Sequence, residues 1–247
     1  MKHLIKRLLL RFGYELKRRS TDAFEVQKSI VHSTTPVIFD VGAWTGEVTQ
    51  IYRRLFPSAS IYSFEPFSES FEQLRQNTMA DNARTRIFNL AVAEEAGVAT
   101  LNANESSATN SLLPSAARGN LTWGLNAFGT ERQVKINTTS VDCFCREHAI
   151  PVIDILKLDI QGGEFAALTG AQGMLSRQKI GVIYLEIILA QTYEGQHKLH
   201  EYLSLLDSFG FELLDLYEPW RRGLELLQAD FLFLRRGLKQ TFEDVSV

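Results

Sequence analysis

Three short segments of this chain set carboxylates beside glycines at the ends of apolar, strand-like runs. The first is Asp40-Val41-Gly42-Ala43-Trp44-Thr45-Gly46. Gly42 and Gly46 let backbone approach a ligand closely, and the helix start that follows offers free N–H groups. The second is Phe64-Glu65-Pro66, about 20 residues on, the separation at which an acid accepts hydrogen bonds from ribose hydroxyls in dinucleotide folds. The third and densest is Asp154-Ile155-Leu156-Lys157-Leu158-Asp159-Ile160-Gln161-Gly162-Gly163-Glu164. Strand periodicity puts Lys157 and Asp159 on one face, and a lysine in an otherwise buried strand requires a carboxylate partner. Singly, each segment reads as an ordinary turn or a satisfied ion pair. In series, with a further acid at the strand-end Glu186, they favour a nucleoside site with acid–base groups beside it. Phosphate cradles do not fit: no Gly-Lys-Ser/Thr follows the glycines, and Trp44 stands where a dinucleotide fingerprint needs its middle glycine.

The elements that must position these residues follow from periodicity. Strands are expected at Val37–Val41, Ser60–Phe64, Arg86–Val92, Val152–Ile160 and Ile180–Ile187. Helices are expected at Glu47–Phe56, Ser68–Met79, after Gly163, and at His197–Phe209. This alternation predicts right-handed βαβ units and a doubly wound, mostly parallel sheet. Phe211–Leu216 and Asp230–Arg235, joined by a turn-rich connection at Pro219, add an antiparallel C-terminal pair and bring the sheet to seven strands. Residues 94–140 break the rhythm, with strands at Val98–Asn102 and Gln133–Thr138, then a short helix at Ser140–Glu147. The Ser-, Asn- and Ala-rich stretch at about 103–131 reads as a lid-like insertion, because so long a loop inside a compact domain usually covers a site. Trp123, Asn126 and Phe128 within it suit a sugar face and its hydroxyls.

With these motifs in hand, the chain resembles the FkbM-type S-adenosylmethionine-dependent methyltransferases, of Rossmann-like fold. The resemblance is carried by DVGAWTG (40–46), SFEP (63–66), TTSVDCF (138–144), DILKLDIQGGEFAALTGA (154–171) and IYLEI (183–187). Two positions depart from the family pattern, Trp44 in place of asparagine and Gln161-Gly162 in place of Glu-Gly. The resemblance implies S-adenosylmethionine as cofactor, with no metal expected. It places Gly42, Ala43 and Gly46 against the methionine part, Asp40 where it would organise that loop or the ammonium, Glu65 and Pro66 at the ribose, and Ala91 at the adenine. Asp159 would face the amine or the reaction centre. The implied reaction is in-line methyl transfer to a hydroxyl of a sugar, glycolipid, polysaccharide or polyketide, with Asp159 and Glu164 as candidate bases and Lys157 tuning them. His197 and His200, near Glu194 and Glu201, read as a solvated helix face rather than a metal site.

Composition sets the outer bounds. The chain has 247 residues, 45% of them apolar and 22% charged, with two cysteines. That is enough chain for one large core without disulfides, and no apolar run reaches the roughly 20 residues that span a bilayer. Residues 1–20 carry a charge of +6 and the remainder −9. An acidic body argues against nucleic acid as partner, since phosphate neutralisation needs a basic surface. The domain is therefore read as 36–247, preceded by an arm and linker over 1–35. Leu4, Ile5, Leu8, Leu9 and Phe12 make the arm a basic amphipathic helix, suited to peripheral contact with an anionic inner membrane surface through residues 1–19 or to pairing with a second copy. The expected location is cytoplasmic. The competing reading is a non-catalytic assembly module that keeps the scaffold and is recruited by this arm; fold alone does not separate the two.

Overall fold

A computed structural model describes residues 22–79, 84–117, 119–123 and 127–238. The basic helix expected over residues 1–19, and Asn126, lie outside these. The described chain runs α1 (Ala23–Ile30), β1 (Val37–Val41), α2 (Glu47–Leu55), β2 (Ser60–Phe64), α3 (Ser68–Thr78), β3 (Thr85–Phe88), β4 (Ala91–Val92), β5 (Gly97–Asn104), α4 (Gly119–Trp123) and β6 (Thr130–Thr139). It continues with α5 (Val141–Glu147), β7 (Ile153–Leu158), α6 (Glu164–Thr169), α7 (Gln172–Ser176), β8 (Ile180–Ile188), α8 (Leu199–Ser208), β9 (Phe211–Arg222) and β10 (Glu225–Arg235). Among the described residues, no helix is long and apolar enough to cross a membrane.

Seven strands form one sheet in the order β3-β2-β1-β7-β8-β10-β9. The first five pair in parallel, and β10 runs antiparallel to both β8 and β9. The chain leaves β1 toward β2 and β3, then returns to β7 on the other side of β1. The β1/β7 gap is therefore the switch point, where an open α/β sheet binds ligands beyond its carboxyl ends.

Both faces of the sheet are covered, and alternation along each strand divides the core. Phe39, Val41, Phe64, Leu156 and Leu158 pack on one face with Phe144 of α5, Ala167 and Leu168 of α6 and Leu206 of α8. Ile38, Ile61, Ile155, Val182 and Tyr184 pack on the other with Ala23 and Ile30 of α1 and Tyr52 of α2. On that second face the alternation continues upward into polar residues at Asp40, Ser63 and Lys157, all buried. Burial of the apolar rows fixes the register, and the register carries the chemistry to one edge.

Three expectations are corrected. Arg86–Val92 is not one strand: β3 joins the large sheet, while β4 pairs with β6 in a separate three-stranded sheet of order β4-β6-β5. Asn89 makes the break, its side-chain amide donating to the carbonyls of Glu65 at 2.9 Å and Pro66 at 3.0 Å. Pro219 lies inside β9 rather than in a turn, and the hairpin turns at Gly223 and Leu224. The helix after Gly163 is two, α6 and α7, interrupted at Gly170 and Ala171.

Gly170 marks a close approach: a Cβ there would lie 2.4 Å from the Ala93 carbonyl oxygen and 2.8 Å from that of Glu94. The chain following β4 is thus pressed against the end of α6. Gly170→Ala is expected to cost about 1–3 kcal/mol by overpacking, read as a lowered urea midpoint with unchanged slope.

Candidate active site

The site grows from one buried lysine. Asp40 and Lys157 are register partners on β1 and β7, with Lys157 Nζ 3.2 Å from Asp40 Oδ1 and 3.8 Å from Asp159 Oδ2. The same ammonium donates to the Gly42 carbonyl at 2.8 Å. Burial works against the lysine's charge, but Asp40 and then Asp159 outweigh it, and its pKa ends above the ordinary value. Asp40 Oδ2 accepts from Thr49 Oγ1 at 2.6 Å, and Thr49 in turn meets Ser63 Oγ at 2.8 Å. One polar line thus crosses from β2 through α2 to β1 and β7.

The loop after β1 is wound tightly. Gly42 has φ +74°, and a Cβ there would lie 1.8 Å from the Asp159 carbonyl oxygen, so no other residue fits. The Gly42 and Ala43 N–H groups donate to the Phe64 carbonyl at 3.0 and 2.9 Å. Gly46, φ +94°, starts α2. Trp44 takes φ +46°, a left-handed conformation uncommon for a bulky side chain. Two bonds hold it there: its N–H donates to Glu65 Oε2 at 3.0 Å and its indole Nε1–H to Ser107 Oγ at 3.0 Å. Glu65 Oε1 accepts the Phe67 N–H at 2.9 Å. Burial pushes Glu65 up to about 7 despite these two bonds.

A cavity of about 290 Å³ opens at the switch point. Gly42, Trp44, Glu65 and Pro66 wall one side, Leu90, Ala91 and Val92 the second, and Asp159, Ile160, Gln161, Gly163 and Glu186 the third. The roof is Ser107, Ala108, Asn110, Ser111 and Leu112, from the chain between β5 and β6. Of the sequence-derived candidates, Gly42, Glu65, Pro66, Ala91 and Asp159 line this space. Asp40, Ala43, Gly46 and Lys157 stand behind its wall as supports.

Glu164 also stands behind it. It is 1% exposed, and its Oε1 accepts the Ile160 N–H at 2.7 Å, so the carboxyl shapes the loop under the cavity. Burial raises it to about 7. Gln161, φ +55°, occupies the position beside Asp159 instead. Its Nε2 donates to Glu186 Oε2 at 2.8 Å and to Asp159 Oδ1 at 3.3 Å. Tyr193 OH lies 2.9 Å from both Gln161 Oε1 and the Thr109 carbonyl, while Ser111 Oγ donates to the Gln161 carbonyl at 2.7 Å. Sequence reading did not assign roles to Gln161, Ser107, Asn110 or Ser111. Ser107, Asn110 and Ser111 carry only the collective signal of the lid-like stretch, and Glu186 that of an acid ending a strand.

Trp123 and Phe128 do not line the cavity. They stack at 5.8 Å in a cluster with Tyr193 and Ile188, the Trp123 indole donating to Thr192 at 2.8 Å. His197 stacks on Phe165 at 3.7 Å and meets Glu201 at 3.0 Å. Among the described residues, no three His, Cys, Asp or Glu side chains are grouped to hold a metal ion.

The donor set fits S-adenosylmethionine. A half-apolar slot for a base adjoins a buried carboxylate suited to a diol. The far end, with Asp159 and Glu186, suits a cationic group, because the ion pairs of Lys157 go to Asp40 and Asp159. Comparison with known proteins agrees. Residues 40–213 match the model of the methyltransferase FkbM domain. The chain is 27% identical over 217 residues to the 2-O-methyltransferase NoeI of Sinorhizobium fredii, covering 84% of this chain and 85% of that one. It is 25% identical over 211 residues to the 31-O-demethyl-FK506 methyltransferase FkbM of Streptomyces tacrolimicus, covering 78% and 79%. An rRNA methylase structure from Streptococcus thermophilus superposes with a TM-score of 0.51 at 11% identity, over 90% of this chain and 99% of that one, a likeness of fold.

Two outcomes follow. Lys157→Met leaves Asp40 charged and buried, with an expected loss of about 3–5 kcal/mol by urea denaturation; adding Asp40→Asn should recover part of it, measured as a double-mutant cycle. The pH dependence has a definite sign. Glu65 and Glu164 sit near 7 when folded against 4.5 for the unfolded reference. Below pH 4.5 both states hold the protons and nothing is lost. As pH rises through this window the unfolded chain ionises first, so stability falls, on the order of 3 kcal/mol per group, and levels off above about 7. Glu164→Gln should flatten that decline between pH 5 and 8 (~3 units of the window).

Proposed function

Since this chain belongs to the FkbM methyltransferase family, and is an S-adenosylmethionine-dependent methyltransferase, we propose that it transfers the methyl group to a hydroxyl of a sugar, glycan, glycolipid or polyketide-type acceptor. The carrying observation is the cavity at the β1/β7 switch point, with Glu65 at one end and the Asp159–Gln161–Glu186 cluster at the other. The two relatives, whose names specify O-methylation, support oxygen as the atom methylated. Residues 36–247 act as one catalytic domain, and about 103–131 form the acceptor-facing lid.

The bound cofactor supplies an electrophilic methyl group on a sulfonium. The chain's task is to hold two partners in line and keep the approach dry. In this reading Glu65 accepts from the ribose hydroxyls, and Pro66, Leu90, Ala91 and Val92 flank the adenine. The Gly42–Gly46 loop packs along the methionine part, and Asp159 meets its ammonium. Lys157 positions Asp159 and the Gly42 carbonyl rather than touching the acceptor. The roof supplies the acceptor's polar contacts. Asn110 is suited to this, because its Oδ1 accepts the Asn104 N–H at 2.8 Å while its buried Nδ2 has no partner.

Calorimetric titration with S-adenosylhomocysteine tests the cofactor site. Ribose hydroxyls bind the ionised form of Glu65, so affinity should rise about tenfold from pH 6 to pH 8, with the sign set by a carboxyl that titrates near 7. Glu65→Gln should weaken binding by about 1–3 kcal/mol and lose that dependence. Absence of saturable binding at millimolar ligand would return the chain to the assembly-module reading. A panel of hydroxylated acceptors with labelled methyl donor then identifies the acceptor class.

A further inference from the structure

Glu186, two residues before the end of β8, lines the cavity and is 8% exposed. Its Oε2 is held by Gln161, and its Oε1 accepts no hydrogen bond from any described residue. The groups facing it are mostly of its own sign: Lys157 from β7 and Asp159 just past it, Glu164 from α6, Asp230 from β10, and the Tyr193 hydroxyl. Lys157 is already engaged by Asp40, Asp159 and the Gly42 carbonyl. This end of the site is thus a carboxylate pair bridged by an amide, short of one positive charge.

We propose that Glu186 is the general base for the acceptor hydroxyl and is armed by the charge of the methyl donor, with Gln161 as the positioning residue that aims it. This rests on the methyltransferase reading above. Burial, and then the charges of Asp159 and Glu164, hold the Glu186 carboxyl well above the ordinary carboxylate range, a balance that favours its neutral form more than in an exposed carboxyl. A positive charge brought into the same cavity reverses that balance, and the proton leaves to solvent.

In the transfer itself, the acceptor O–H proton moves to Glu186 Oε1 as an oxygen lone pair forms the new O–C bond. The C–S bond breaks with its electron pair remaining on sulfur. The products are a methyl ether, the neutral thioether and protonated Glu186. The sulfonium charge disappears during this step, which raises the proton affinity of Glu186 as the acceptor proton needs a place to go. Gln161 contributes by geometry, since its one amide nitrogen donates to both carboxylates and keeps them apart.

The test needs no acceptor. Titrating the full chain with S-adenosylmethionine, and separately with S-adenosylhomocysteine, in buffers of different ionisation enthalpy gives the protons released per ligand between pH 6.5 and 8.5 (~2 units about neutrality). Both ligands carry the ribose and the ammonium, so the contacts to those groups contribute alike and the difference isolates the sulfonium. The sulfonium ligand should release more, by a large fraction of about one proton. Glu186→Gln should abolish the difference while still binding S-adenosylhomocysteine. Gln161→Leu, which removes a donor to the charged form, should move the release curve to higher pH, a change that a merely structural role would not produce. Equal release by the two ligands, or a difference that survives in Glu186→Gln, overturns the proposal. If Glu186→Gln does not fold, an unmoved curve in Gln161→Leu overturns it instead. Failure of the wild type to bind either ligand strikes the methyltransferase reading and this proposal together; binding without differential release strikes this proposal alone.

Discussion

The buried ammonium of Lys157 is the constraint on which the rest of the site depends. It lies in the middle strand of a sheet covered on both faces, where an unpaired charge is costly. Its contacts tie together three things that otherwise have no reason to be adjacent: Asp40 on the neighbouring strand, the carbonyl of Gly42 in the cofactor loop, and Asp159 at the cavity wall. Register, loop conformation and active-site acid are thereby coupled. Asp40 passes the coupling on through Thr49 and Ser63 to α2 and β2, so the strand that ends in Glu65 belongs to the same polar line. Because Lys157 is consumed in holding this frame, the remaining acids have no protein cation among the described residues. A site built around one committed lysine is left with an affinity for positive ligands.

The second sheet answers a different need. β5 and β6 form a long antiparallel pair beside the main sheet, and the chain between them returns over the cavity. Its anchors are polar and few: Ser107 on the Trp44 indole, Ser111 on the Gln161 carbonyl, and Tyr193 spanning Gln161 and Thr109. Each anchor joins the roof to a residue of the cavity wall or its immediate support. Trp44 and Gln161 both hold left-handed backbone at these junctions.

Much of the frame was legible in the chain because it follows from periodicity. VIFDV, SIYSF and IGVIYLEI are apolar runs that only a sheet covered on both faces can accommodate, and their terminal acids announce a site at the carboxyl edge. Where the reading failed, a long-range bond had overruled a local pattern. RIFNLAV scans as one strand, yet Asn89 reaches back to the Glu65 and Pro66 carbonyls and turns Ala91 and Val92 to another sheet. Pro219 reads as a turn, yet β9 is the edge of the sheet, where a missing N–H leaves no ladder partner unsatisfied.

The sequence by itself determined the fold class, the order of the elements, and the glycines and acids of the cofactor loop. Those depend on spacing along the chain and on backbone freedom at single positions. Tertiary structure alone decided which acids face the cavity. Asp159 and Glu164 are five positions apart, yet one looks into the ligand space and the other is consumed by the Ile160 N–H. It also decided that Gln161 and Glu186, 25 residues apart, share one hydrogen bond, and that Trp123 and Phe128 pack against each other instead of an acceptor. Side-chain direction at a loop depends on the bonds available around it, and those come from strands and loops remote in the chain.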